Sequence, residues 1–194
     1  MKSDAIKLSL CLSVTALYKM TKRKKRYACN PIIENGLAPE LFRYFSSYVN
    51  HGDRSSLKYV KKVIKIFQNC SEVASLCKDL LDIDVVSQLT AVANKILVDD
   101  QLGQRTLETR DKILEPILRT FEQLNQGDID WHLKKQNMQT TMQKIKDNSK
   151  NAAIIEMAEN LMDSLIVGAE DQDLQLYSDL SDHIHSITEG EEQK

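Results

Sequence analysis

Four lysines on one predicted helix have the spacing that points most directly to a binding chemistry. Lys58, Lys61, Lys62 and Lys65 follow one another at i, i+3, i+4 and i+7 within a helix predicted over residues 55–69. These spacings place four ammonium groups on one face, opposite an apolar stripe. A row of this kind would attract an acidic segment and speed its association. A solvated helix surface is the alternative interpretation.

A run of five basic residues between the first two predicted helices is the second charged feature. It fits a short localisation signal or a nucleic-acid patch, with plain surface as the alternative. Single-strand binders interleave aromatic residues with their cations, and the run itself contains no aromatic residue. This basic patch consists of Lys22, Arg23, Lys24, Lys25 and Arg26.

Residues that catalyse reactions or hold metals are not spaced for either task. No two cysteines form a CxxC pair, whereas tetrahedral zinc sites usually depend on tight Cys/His pairs. His183 and His185 lie among acidic residues, without a fixed further ligand. We therefore expect reduced, mostly buried thiols, no metal, no cofactor and no enzymatic activity. The four cysteines are Cys11, Cys29, Cys70 and Cys77.

The composition limits the fold classes that could position these lysines and basic residues. The 194 residues are 42% apolar and include only six Gly and three Pro, too few turn residues for a β-sandwich or barrel. The apolar stretch Leu8–Tyr18 resembles the core of a signal peptide, but Asp4 and Lys7 lie before it and a basic run follows where a small-residue cleavage site should be. The stretch is also far short of the ~20 residues that span a bilayer. We expect a cytoplasmic protein, with a nuclear location as the alternative that the basic patch favours.

The net charge of −2 conceals an asymmetry along the chain. Residues 1–66 hold fourteen basic and four acidic side chains, and the remaining residues hold twelve and twenty-four. From Gly168 onward there are eight acids and one base. Residues 168–194 therefore form a predicted acidic, partly disordered tail after a helical domain over 1–167. Such a tail could dock intramolecularly, as a placeholder, on the four lysines of the helix predicted over 55–69.

Apolar residues recur with helical spacing along almost the whole chain, which predicts an all-α fold. Pro31 is expected to prevent a continuous helix through residues 27–36, and Gly36 can supply the left-handed residue that ends a short one. Pro116 implies that the helix containing it is kinked or begins late. The predicted helices cover residues 4–21, 26–35, 37–49, 55–69, 71–81, 84–97, 106–124, 131–147 and 151–167.

The order long, short, medium occurs twice among these helices, with offsets of 48 and 47 residues between equivalent ends. The segment Thr15–Thr21 (TALYKMT) and the segment Ile32–Leu41 (IIENGLAPEL) carry the closest match in letters. They resemble the junction between two armadillo repeats. The resemblance covers residues 4–124 and implies a right-handed α-solenoid. HEAT-type repeats and a four-helix bundle are the alternatives.

The resemblance also implies where a partner would bind. Third helices line the concave groove of armadillo arrays, so Tyr18 and Lys19 would join the four lysines there. Armadillo proteins that carry nuclear import cargo place Asn on these helices, where this chain has Lys19, Ile66 and approximately Thr120. The chain is therefore not expected to read basic signals.

A non-catalytic scaffold or adaptor that binds an acidic partner segment is the resulting functional expectation. Nucleic-acid binding through the basic N-terminal half is one alternative. A structural subunit, or a fragment of a longer solenoid, is another, because the first predicted helix is a third helix with no helices before it. A partner could cover that uncapped end and form a hetero-oligomer.

Overall fold

The computed structural model describes residues 2–51, 57–98, 107–126 and 132–165. Within these residues the chain is helical and contains no strand, which confirms the all-α prediction. A 3-10 turn over Ala74–Leu76 lies between α4 and α5. The helices are α1 (Lys2–Arg23), α2 (Lys25–Glu34), α3 (Ala38–His51), α4 (Leu57–Ser71), α5 (Cys77–Asp82), α6 (Val85–Val98), α7 (Leu107–Asn125), α8 (His132–Asn148) and α9 (152–165).

A left-handed residue terminates α2, as the sequence predicts. Gly36 has φ +67°, its N–H donates to the Ile33 carbonyl at 3.1 Å, and the Leu37 N–H donates to the Ile32 carbonyl at 3.0 Å. These two bonds define a Schellman motif, in which glycine avoids the Cβ penalty of the left-handed region. These bonds end α2 at Glu34, and the turn at 35–37 precedes α3, whose first residue is at position 38.

Asp84 occupies the corresponding position 48 residues later. It has φ +63°, and its N–H donates to the Leu81 carbonyl at 3.0 Å after the end of α5. Its carboxylate also accepts a 2.8 Å hydrogen bond from the Ser87 hydroxyl in the first turn of α6. Aspartate tolerates the left-handed region better than most residues, so it can join α5 to α6 here.

The prediction that Pro31 prevents a continuous helix is wrong, because α2 runs through it. The carbonyl left without its helical donor belongs to Tyr27, an exposed residue that water reaches. Ile32 and Ile33 are buried on the inner face of α2. Burial of two such side chains is worth about 1.5–3 kcal/mol each, enough to offset a proline cost of about 3 kcal/mol.

Two other helices differ from their predicted extents. The single helix predicted over 71–81 is a 3-10 turn followed by α5, which begins only at Cys77. Pro116 lies inside α7, which begins at Leu107, so this helix does not begin late. The Thr120 hydroxyl donates to the Pro116 carbonyl at 2.7 Å, which satisfies this buried hydroxyl within the helix.

The helices pack in two rows. In the first row α1 packs on α4 and α4 on α7, and in the second α3 packs on α6 and α6 on α8. Contacts of α3 with α4 and of α6 with α7 join the rows. The apolar core lies between them and contains fully buried Phe45, Tyr48, Phe67 and Phe121.

Polar bonds between helices show how far apart in sequence the neighbours are. The two bonds between α1 and α4, Lys62 to Thr15 and Asn69 to Thr21, join residues 47 and 48 positions apart. Toward the C-terminal end, Asn151 donates to Asp111 at 2.9 Å and Asn125 donates to Ser164 at 3.0 Å. These bonds join residues only 40 and 39 positions apart. The interval between neighbouring helices is therefore shorter between α7 and α9 than between α1 and α4. The predicted tail over 168–194, with His183 and His185, lies outside the described residues.

Candidate functional site

The lysines of α4 lie on its narrow accessible face, which we call the lysine row (Lys58, Lys61, Lys62 and Lys65). Eight of the fifteen residues of α4 are buried, because α1, α2, α3 and α7 all pack on this helix. Lys58 is exposed, and the other three lysines are half-buried. The predicted row is therefore present as one strip of cations on the accessible side of α4.

Tyr59 organises the start of the lysine row. The Lys58 ammonium lies 4.8 Å from the centre of the Tyr59 ring, and the Lys62 ammonium lies 5.5 Å from it. Cations at these distances from an aromatic ring are attracted by its quadrupole. The Tyr44 ring of α3 lies 5.8 Å from the Tyr59 ring, centre to centre, with an angle of 43° between the two ring planes.

Lys62 also ties α4 to α1. Its ammonium donates a 2.7 Å hydrogen bond to the Thr15 hydroxyl, which fixes the side chain in the gap between the two helices. Sequence reasoning did not identify Tyr59 or Thr15 as part of this surface. The signal for Tyr59 was available, since a tyrosine next to Lys58 and three residues before Lys62 lies at an edge of the same helix face.

Tyr18 and Lys19, the α1 residues predicted to line the groove, have different environments. Tyr18 is half-buried and packs against the core, and its carbonyl accepts a 3.1 Å hydrogen bond from Thr21. Lys19 is exposed and lies with Arg23 and Lys24 around another cavity. The structure therefore brings Tyr18 to the core side of α1 and groups Lys19 with the basic patch.

The positions corresponding to the groove asparagines of armadillo import proteins are not groove positions here. Ile66 and Thr120 are completely buried, and only Lys19 of the three is exposed. A buried position cannot contact a partner, so these two residues act in packing.

The basic patch has divided roles. Lys25 forms an ion pair with Glu72, which follows α4, and is thus engaged within the molecule. Arg23 and Lys24 line a cavity of about 330 Å³ together with Lys19, Met20, Tyr27 and Ala28. Lys22 and Arg26 are exposed. Most of the patch is consequently available to a ligand, with an apolar floor beneath part of it.

Three cysteines are free and buried, as predicted for the described part of the chain. Cys29 of α2 and Cys70 of α4 are hydrogen-bond partners; this bond lowers the pKa of Cys29, burial opposes that change, and Lys25 reinforces it. The same bond, together with burial, raises the pKa of Cys70. Burial raises the pKa of Cys77, whose thiol donates to the Ser71 carbonyl at 3.4 Å.

Other features of the described residues offer less chemistry. No cluster of three or more His, Cys, Asp or Glu side chains that could hold a metal occurs in this part of the chain. A cavity of about 220 Å³ between α7 and α9 has Leu118, Met157 and Leu161 on its apolar side and neutral amides opposite. Its only charged lining residue is Glu122.

The comparisons with known proteins give no identification of the chain. No protein-family model, curated protein or solved structure shows a significant match to it. A search of the described helices for a segment of sufficient length and hydropathy to cross a bilayer finds none.

Proposed function

We propose that the chain is a non-catalytic interaction module, a short armadillo-like solenoid that binds an acidic segment of a partner protein along the lysine row. The architecture is supported by the two helix rows and by offsets of 47 and 48 residues between α1 and α4. Left-handed residues at Gly36 and Asp84 repeat the same 48-residue interval. A repeated interval in both contacts and turns is typical of stacked helical repeats.

The charge arrangement around Tyr59 carries the binding proposal. Lys58 and Lys62 flank its ring, and neither they nor Lys65 has a carboxylate partner among the described residues. Lys62 is already held in place by Thr15, so less side-chain entropy is lost when an anion binds. The lysine row would form ion pairs with acidic side chains of an extended or helical partner segment.

Fluorescence anisotropy with a labelled acidic peptide tests the proposal. The probe is a Glu- and Asp-rich peptide of about twelve residues, a length that spans several turns of α4. Charge reversal in the double variant K58E/K65E should weaken binding about tenfold and flatten its salt dependence, because steering depends on these charges. The matched control is K144E/K150E, which reverses two exposed lysines elsewhere.

Two results would contradict the proposal. Equal losses in K58E/K65E and K144E/K150E would show that only the net charge matters. Binding of a single-stranded RNA oligomer with a steep salt slope, and no binding of the acidic peptide, would favour nucleic-acid binding through the basic N-terminal half.

A further inference from the structure

The outer surface of α1 and the start of α2 combines exposed apolar side chains with cations. We call it the α1–α2 end face and define it by Leu12, Lys19, Met20, Arg23, Lys24 and Tyr27. Leu12 is 63% exposed, Met20 55% and Tyr27 84%, and these three are among the few large apolar side chains exposed in the described residues. Exposed apolar side chains grouped in this way mark interaction surfaces more often than scattered ones do.

The sequence interval between α1 and α4 shows what this surface corresponds to. The offsets of 47 and 48 residues relate Lys19 to Ile66 or Phe67, both completely buried in α4, and Met20 to Phe67 or the half-buried Gln68. The same positions that are covered by neighbouring helices in α4 are therefore open in α1. The α1–α2 end face therefore exposes apolar side chains at positions where α4 packs against other helices, and it also carries positive charge.

Most cations on this side of the molecule lack a carboxylate partner in the part of the chain that the structure describes. Lys19, Lys22, Arg23, Lys24 and Arg26 have no carboxylate partner among the described residues, whereas Lys25 is paired with Glu72. Five positive charges within eight residues repel one another, so an acidic occupant would relieve that repulsion as well as cover the apolar floor.

The chain contains a segment with the complementary properties. Residues 168–194 hold eight acids and one base, and Leu174, Tyr177, Leu180 and Ile184 recur at helix-like spacing within them. An acidic segment with one apolar stripe can pair charges and cover Met20 and Tyr27 simultaneously. RNA, by contrast, would gain nothing from the exposed aliphatic side chains Leu12 and Met20.

The geometry permits the segment to reach the end face. From α9 beside α7, the first row leads through α4 to α1, about three helix spacings of 8–10 Å. Residues 166–176 lie between the end of α9 and Tyr177, and this stretch extends to about 36–40 Å, which exceeds three helix spacings. A tethered segment also acts at an effective concentration in the millimolar range, which favours it over a free competitor.

We propose that residues 177–187 dock on the α1–α2 end face of the same chain, with Met20 and Tyr27 as apolar contacts and Lys19, Arg23 and Lys24 as charge partners. This inference concerns a different surface from the lysine row and does not depend on the proposed function. It assigns a covering segment to the open side of α1. It also separates the acidic tail from the row that would bind a partner.

Nuclear magnetic resonance of the ¹⁵N-labelled full chain tests the docking. In the tail variant D179N/D182N the segment loses two charges, and the amide signals of residues 12–28 should shift. In the end-face variant M20S/Y27S the tail signals should move to the positions that they have in an isolated peptide of residues 168–194. The control E122Q/E156Q removes two exposed charges on α7 and α9 and should leave residues 12–28 unchanged.

Three outcomes would overturn the proposal. The wild-type tail signals could already coincide with those of the isolated peptide, which means that the tail is undocked. The tail variant could shift only residues of the lysine row, which would place the segment on α4. The shifts could also depend on protein concentration, which would mean that the tail binds a second copy rather than its own chain.

Discussion

Asn69 donates a buried 3.0 Å hydrogen bond to the hydroxyl of Thr21, 48 residues earlier, and thereby fixes the end of α4 against the end of α1. Thr21 in turn donates to the Tyr18 carbonyl at 3.1 Å, so both polar groups are satisfied. Buried polar pairs of this kind specify register, because sliding of one helix along the other leaves the buried Asn69 amide without its acceptor.

The first prediction concerns this pair. T21V leaves the Asn69 amide without its acceptor and should lower the free energy of unfolding by about 1–3 kcal/mol. N69L removes the partner instead. The double variant T21V/N69L should lose less than the sum of the single variants, because neither partner is then left unpaired. Urea unfolding measures all three, with T140V on the exposed side of α8 as control. Strict additivity would contradict the coupling.

The second prediction concerns the left-handed turn after α2. G36A should lower the free energy of unfolding by about 1–2 kcal/mol, since alanine is disfavoured at φ +67°. Nothing lies within 4 Å of the position of an added Cβ, so the loss reflects backbone conformation rather than a clash. Thermal and urea unfolding measure it. Asn tolerates the left-handed region, so G36N should lose less than G36A, and equal losses would disprove the explanation.

The third prediction follows from the proline inside α2. P31A supplies an N–H that can donate to the Tyr27 carbonyl, and the exposed proline ring gives up little packing. The substitution should therefore raise the free energy of unfolding by about 1–2 kcal/mol, after allowance for the greater entropy of the unfolded chain. P116A at the buried proline of α7 is the comparison, because the loss of ring packing there offsets the gain. A lower stability of P31A would contradict the prediction.

The fourth prediction concerns pH. Burial raises the pKa of Cys77 above its ordinary value of 9.0, so the unfolded chain loses this proton first as the pH rises. The contribution of Cys77 to stability is therefore complete below about pH 9 and decreases above it. C77A should reduce the decrease in unfolding free energy between pH 8 and about pH 10, measured with urea. A pH dependence identical to that of the wild type would show that Cys77 does not contribute.

Helical periodicity made most of the fold predictable. Predicted and observed helix ends agree within two residues for α1, α2, α3, α4, α6, α7 and α8, because apolar spacing and turn residues act locally. The helix predicted over 71–81 was less accurate, since tertiary contacts decide where a 3-10 turn changes to α5. Pro31 was misjudged for the same reason, because the burial of Ile32 and Ile33 is not a local property.

The candidate site was only partly predictable. The helix face shared by Lys58, Lys61, Lys62 and Lys65 follows from spacing alone. The ring contacts of Tyr59 and the bond from Lys62 to Thr15 depend on how α1, α3 and α4 pack. No rule of sequence spacing relates residues that lie 47 positions apart unless their helices are known to be neighbours.

The sequence by itself determined the all-helical class, the lysine row and the opposite charges of the two ends of the chain, since each depends on residue types at short range. Only the tertiary structure decided that Ile66 and Thr120 are buried, that Lys19 lies with Arg23 and Lys24, and that Lys25 is paired with Glu72. Burial and pairing are properties of neighbouring helices, and the free energy of packing them selects which side of each helix remains exposed.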